Sequence, residues 1–572
     1  MKIIVKHKIN LMRYNTQYIF PVLLVLIGNS LFAQNNGLND ADFNLVRDYE
    51  GSIEDADKLQ LQLDVSPPEA DDISHNYTMP KVKFDVELPP PETRPTRVDL
   101  EALFETQDNF LRFGFGSQLS ALGELGFYED LGKKKKSQLG IMGSHFSSNW
   151  GRLPNMTFMD SRVNSFLNYH SRYISMHIEG NFEHDIDHNY VYDTTQGEFM
   201  DEDIRQRATR YGGNVQLINH EANNLDITFN NTLGYNRYQD NWSNNENIIN
   251  LDSRIGKEID KFQHFEIITR FNYIVRNADQ PYGDLKRSVF KLGAHYHYRT
   301  NDWLLDATMG FGIGDVSPRK KNNQSKFDFF PKLEARREII NNKLQFFARY
   351  DRDIDLISLD RLQRDNPWMI LDSIDVQHAG YDHLTSGFQG GIKRFDYDIH
   401  FGMRATRNQA LYKNIYDVNR QNLSEFEVVY DSLMITYNAH VDLGVKIKDN
   451  IHLYFGADYF TYQVNNNEAA FNLPKLKTFT GVKVSAIDGK LLMRGELNIF
   501  AGSQGIDESG ELQTIPVPVD INLKSEYRFN KNFIIFAYLN NAFGFVENYQ
   551  YQQFYSYPSY GVNGLVGATF QF

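Results

Sequence analysis

The chain holds 16 histidines, 73 carboxylates and 59 basic side chains, but few of them stand at spacings that chemistry requires. The densest acidic run is His184-Asp185-Ile186-Asp187-His188, followed by Asp193, Glu198, Asp201, Glu202 and Asp203. Carboxylate oxygens suit Ca²⁺, yet the Asp-x-Asp-x-Asp-Gly order of a calcium loop is absent, and a hydrated acidic loop is the simpler reading. No His-Glu-x-x-His pair occurs and the histidines are spread at about one per segment, so no metal-ligand cluster is legible. Cysteine is 0, which removes disulfides, thiolate metal sites and Cys nucleophiles together. No Gly-x-Ser-x-Gly elbow and no triad order appears. The residues thus predict a protein that is not an enzyme and has no catalytic, cofactor-binding or metal-ligating set. The remaining candidate is aromatic. Tyr549, Tyr551, Phe554, Tyr555 and Tyr557 crowd into nine residues. They suit an external recognition loop that stacks on glycans or a protein partner, and equally a loop folded into a barrel mouth. A basic run, Lys133-Lys134-Lys135-Lys136, fits acidic partners or phospholipid headgroups, or simply a solvated turn.

Composition says what must carry these residues. Of 572 residues, 41% are hydrophobic but 14% are aromatic, with Tyr 33 and Phe 42. Mean hydropathy is negative, which excludes a bundle of membrane helices. The net charge of -14 disfavours a nucleic-acid partner. A chain that is polar on average, rich in aromatics and free of cysteine fits a transmembrane β-barrel, where only alternate strand residues face lipid.

Residues 1–33 read as a secretory signal. Lys2, Lys6, Lys8 and Arg13 precede the apolar run Ile19–Ile27, and Ala33 supplies a small residue at the expected cut. The run is shorter than the ~20 residues of a spanning helix. No Cys follows the cut, so no lipoprotein anchor is expected. Residues 34–104 are acidic and proline-rich, as at Ser66-Pro67-Pro68 and Leu88-Pro89-Pro90-Pro91, which favours extended chain. They read as a short periplasmic arm, serving as lumen filler, partner tether or plain linker.

From about Asn109 the period is two. Val519, Ile521, Leu523, Tyr527 and Phe529 oppose Asp520, Asn522, Lys524, Glu526 and Arg528. Ile435, Tyr437, Val441, Leu443 and Val445 oppose Thr436, Asn438, His440, Asp442 and Lys446 in the same way. Arg270, Arg276, Arg349 and Asp351 belong to the polar face of other segments. About 22 such segments are expected over 105–572, within a range of about 18–22. Short gaps, such as 171–173, 448–450 and 530–532, alternate with long ones: 184–204, 236–247, 356–382, 408–433, 502–515 and 544–560. This predicts an all-β fold, a large antiparallel barrel with short periplasmic turns and long external loops. The last segment alternates to the terminal aromatic and carries Phe570 and Phe572.

The closing stretch resembles the end of TonB-dependent receptor barrels of the Bacteroidetes type. The residues are Ala537-Tyr538-Leu539-Asn540-Asn541-Ala542-Phe543, then Tyr557-Pro558-Ser559-Tyr560-Gly561, then the final strand. The resemblance implies a barrel of about 22 strands in the Gram-negative outer membrane that moves solutes. It implies Phe570 and Phe572 as the signal read by the barrel insertion machinery. It also implies outer-membrane lipids and lipopolysaccharide as surroundings. Residues 34–104 show neither the family's compact plug nor its TonB-engaging motif, so the likeness is to a plugless relative. The alternative is a non-transporting structural subunit that docks a lipoprotein or periplasmic partner.

Overall fold

The computed structural model describes residues 109–132, 136–149, 154–219, 226–277, 285–314, 326–341, 343–371, 374, 376–545, 552–558 and 561–572. The signal (1–33), the arm (34–104), Lys133–Lys135, Tyr549 and Tyr551 lie outside them.

Alternation becomes a wall. Strand residues point to opposite faces in turn, so a segment with one apolar and one polar face buries neither fully unless lipid takes the apolar one. Here 22 strands join one sheet, and every pairing in it is antiparallel. The first strand, Phe110–Gly116, pairs with the second, Ala121–Leu131, and with the last, Asn563–Gln571. That last pairing closes the barrel. Its register sets Phe110 opposite Gln571 and Gly116 opposite Leu565. Phe115, Phe401 and Val566 are among the residues that point outward and are largely exposed, which is the belt a bilayer would cover. Glycines let strands and rings approach: at Gly567 a Cβ would meet the Phe113 carbonyl oxygen at 2.0 Å and the Phe536 ring at 2.3 Å. Among the described residues no helix is long and apolar enough to cross a membrane.

One end of the barrel carries short turns, such as 171–173, 300–302 and 531–532, together with the first residue of the first strand and the last of the final one. The other carries long connections, 189–204, 356–378, 408–433, 464–475, 502–518 and 541–562. Two expected loops are shorter than their composition suggests. The gap expected over 236–247 is a four-residue turn, because the Asp240 carboxylate accepts from the N–H groups of Trp242 (2.8 Å) and Asn244 (3.0 Å). The acidic run 184–188 is strand, the end of Ile174–His188, and pairs residue by residue with Arg205–Thr209. Among the described residues three hairpins stand outside the barrel sheet: Gln409–Asp417 with Leu423–Asp431, Gln504–Ile506 with Leu512–Thr514, and Gln552–Phe554 with Tyr557–Pro558. A short helix, Leu359–Asp365, starts where the Ser358 hydroxyl accepts from the Arg361 N–H at 3.0 Å.

Candidate functional site

The candidate site is the lumen and its mouth. Long loops rich in apolar residues face a choice between water and the barrel interior, and burial of such side chains favours the interior by ~1.5–3 kcal/mol each. Tyr190, Trp368, Met369, Phe426, Phe554 and Tyr557 come from four separate long connections and form one buried core. Wall residues Leu122, Phe158, Tyr238, Phe536 and Leu565 belong to the same core, so the loops pack against the inside of the barrel. Trp368 stacks on Tyr557 at 4.2 Å between ring centroids and meets Tyr190 edge-on at 5.9 Å. Backbone pairing joins the loops: Ser424 donates to the Val191 carbonyl (2.8 Å), and Ile370 to that of Phe426 (2.9 Å). The Tyr557 hydroxyl donates to the Ser424 carbonyl at 2.5 Å, and burial pushes that phenol well above its ordinary value.

Of the aromatic segment singled out in the sequence, Phe554 and Tyr557 are therefore inside the mouth, with 0% and 1% exposure. Tyr555 is half-buried, and its backbone N–H donates to Asn472 Oδ1 at 2.9 Å.

Wall arginines anchor the long loop segment 356–378. Arg287 donates to Glu246 at 2.9 Å and to the Ile357 carbonyl at 2.5 Å. The other Glu246 oxygen accepts from the Leu359 N–H at 2.8 Å. Arg276 donates to the Ile374 carbonyl and to Asn244 Oδ1, both at 2.7 Å, and Asn244 donates to the Leu371 carbonyl at 3.0 Å. Arg210 binds Asp185, Asp360 and Gln363, and Arg364 binds Glu183. His378 lies beside this set. Burial, then the charges of Arg287 and Lys291, hold its pKa well below 6.5.

The acidic run is thus dispersed among protein partners. Asp185 goes to Arg210, Asp201 to His188 (2.7 Å) and Arg205 (2.9 Å), and Asp193 to Thr195 and Gln196. Lys136 is exposed in its turn.

Below the mouth the wall is charged and half-exposed. Arg270 meets Asp252 (2.8 Å), Arg349 meets Glu334 (3.3 Å) and His383 meets Asp351 (3.4 Å), each across a strand pair. Beside the closing seam the wall is buried instead: Glu526 accepts from Arg112 at 2.6 Å, and Arg112 stacks over the Phe536 ring at 4.1 Å. The sequence spreads the histidines, but the register gathers several. Glu266 sits within 3.0 Å of His264 and 3.3 Å of His295, and Asp306 within 3.2 Å of His295 and 2.6 Å of His297. A second group joins Asp398, His400 and His440. Only strand register, which sequence spacing does not contain, could have revealed either.

Neither a protein-family model nor a curated protein sequence matches the chain. Solved structures do. A mutant of the ferric enterobactin receptor from Pseudomonas aeruginosa, in complex with enterobactin, has a TM-score of 0.61 at 10% identity, over 81% of each chain. The FrpB iron transporter from Neisseria meningitidis (F5-1 variant) has a TM-score of 0.63 at 7% identity, over 82% of this chain and 83% of that one. The ferric-catecholate import receptor Fiu from K12 E. coli, in its closed form, has a TM-score of 0.59 at 9% identity, over 82% of each chain. At these identities the likeness establishes the fold. The protein is a closed 22-stranded antiparallel barrel that shares its fold with these receptors and transporters.

Proposed function

We propose that the protein is an outer-membrane transport barrel whose long external loops, folded into the mouth, are its gate. The observation that carries this is the change of lining along the axis. The mouth is filled by a buried aromatic core with buried ion pairs beside it, while the wall below carries partly exposed charged pairs, as a water-filled path requires. The shared fold with an iron transporter and an import receptor supports the reading. On it, residues 1–33 are removed and 34–104 form a periplasmic arm. The short turns face the periplasm, and lipid and lipopolysaccharide surround the exposed belt. The second reading, a permanently sealed barrel that docks a lipoprotein or periplasmic partner, is favoured by one feature: the Arg287–Glu246 pair at the mouth has no exposed side-chain surface.

Single-channel conductance in planar bilayers separates the two. Cysteines replacing Asn189 and Glu425, whose side chains meet at 3.1 Å, allow a short thiol cross-linker to tie two loops in a chain that has no other cysteine. A movable gate predicts flickering conductance in the intact barrel, its loss on cross-linking, and a large steady conductance when residues 410–430 are deleted. Silence in both the intact and the cross-linked barrel, with conductance only after the deletion, would favour the sealed barrel. Silence in all three would end the transport reading.

A further inference from the structure

Carboxylates on the lumen wall commonly face a guanidinium or an ammonium. Asp252 meets Arg270, Glu334 meets Arg349, Asp328 meets Arg352, and Glu496 meets Arg494. One stretch of wall departs from this. It spans the neighbouring strands Phe395–Arg407, Met434–Lys448 and Ile451–Gln463. In one row His400 lies opposite His440, and His440 opposite Asp458. In the next row toward the short turns, Asp398 lies opposite Asp442. The two imidazoles stack at 4.3 Å between centroids. One ligand atom each from Asp398, His400 and His440 lie within 4.8 Å of one another. Among the described residues, neither Asp398 nor Asp442 forms an ion pair with an arginine or lysine; Asp398 meets only His400, at 2.8 Å. Lys477 stands opposite Asp458 in the register, on the far side from the imidazoles. A recess of about 610 Å³ near the short turns is lined by Asp398 and Asp442, and the His400 and His440 side chains in the next row keep 23% and 20% of their surface exposed.

We propose that Asp398, His400 and His440 form a binding site for a divalent transition-metal ion on the lumen wall. Two imidazole nitrogens and one carboxylate oxygen suit Zn²⁺ and its neighbours, whereas Ca²⁺ and Mg²⁺ call for an all-oxygen set. Asp458 engages His440 Nδ1 at 2.7 Å. That contact orients the ring and leaves Nε2 for the metal, as a carboxylate does for many metal-bound histidines. Asp442 adds negative charge beside the cation. Three protein donors leave further coordination positions for water or for a passing ligand. The carboxylates of Asp398, Asp442 and Asp458 concentrate negative charge on one patch of the wall, and a bound cation offsets it.

The site is tested on the full chain in detergent, with Zn²⁺ titrated against a chromophoric chelator. The expected result is one tight ion per barrel that excess Ca²⁺ does not displace. His400→Ala/His440→Ala is expected to weaken it at least tenfold, and Asp458→Asn about tenfold. His264→Ala/His297→Ala, in another row of the wall, is expected to leave it intact. Heat-modifiable electrophoretic mobility confirms that each variant is a folded barrel. Co²⁺ provides a second readout: its visible absorption should appear with the natural chain and vanish in the His400/His440 variant. Unchanged Zn²⁺ affinity in that variant, equal loss in the His264/His297 variant, or displacement by Ca²⁺ would each overturn the proposal. None of these readouts depends on whether the barrel conducts.

Discussion

Arg287 and Glu246 are the side chains on which closure of the mouth turns most directly. Both are fully buried, and each also holds the backbone of segment 356–378, through Ile357 and Leu359. Removing one member of such a pair leaves a dry, uncompensated charge, at about 3–5 kcal/mol. Arg287→Met is therefore expected to release this segment, read as faster amide exchange over 356–371 with barrel strands unchanged. Adding Glu246→Gln should recover much of the loss, since no charge is then stranded; failure to recover would mean that packing, not charge, is the anchor. His378 makes the same segment sensitive to pH. Its Nδ1 accepts from the Ile357 N–H at 3.1 Å, which only the neutral ring can do. Burial and the nearby cations depress its pKa, so a released loop takes up the proton first. Stability of the closed loop is full above its ordinary value of 6.5 and is lost as the pH falls from there toward the depressed value. Exchange at 356–371, corrected for intrinsic rate, should rise on going from about pH 8 to about pH 5.5. His378→Gln, which keeps an acceptor but not the titration, should flatten that rise. A flat profile in the natural chain would remove His378 from the account.

At the scale of elements, the loops explain more than the strands do. Segment 356–378 reads as a long structureless connection because Trp368, Met369, Leu371, Ile374 and Val376 follow neither a helical nor a strand period. They have partners only once the segment lies inside the barrel, against Tyr557 and Phe426. Trp368→Ala is expected to cost about 3–5 kcal/mol of loop docking. A larger or longer-lived conductance would report it, and wild-type conductance would show that the aromatic core is not part of the closure. Asp431 acts between elements. Its carboxylate accepts from the backbone N–H groups of Leu433, Asn465, Asn466 and Asn467 at 2.9–3.2 Å, tying the hairpin to the next loop. Burial alone would raise its pKa, but these donors hold it below 3.8, so the contribution is present at neutral pH and is lost as the pH falls through the depressed value. Asp431→Ala should loosen both elements by about 1.5–3 kcal/mol, measured as exchange over 423–431 and 464–473. The expected loop at 236–247 and the strand hidden in 184–188 show the same limit in reverse. Asp, Asn and His read locally as loop, yet Asp240 closes a tight turn and Asp185 faces Arg210 inside the wall.

For the whole molecule the decisive contact is the seam between Phe110–Gly116 and Asn563–Gln571. It places the final residue beside the first strand, where the Phe572 N–H donates to the Asn109 carbonyl at 2.9 Å. The rings of Phe570 and Phe572 point outward and are mostly exposed, so they add little to the interior. Their proposed role is as a signal for insertion. Deleting Phe572 is expected to reduce folded barrel in cells several-fold while leaving refolding in detergent nearly unchanged. Equal loss in both settings would make the residue structural and sink the signal.

Alternation with period two, its repetition, and the rhythm of short and long gaps were enough to specify a membrane-spanning antiparallel barrel and which residues face inward. That information is local, because each strand's two faces are set by its own backbone pleat. What fills the barrel was decided only by tertiary structure. Val191 meets Ser424, Trp368 meets Tyr557, and His400 meets His440 because a closed sheet brings distant segments into one register and one mouth. No spacing along the chain encodes those meetings. The loop contacts arise when apolar loops, denied lipid and given an interior, fold in against the wall, and the histidine pair arises when neighbouring strands take one register.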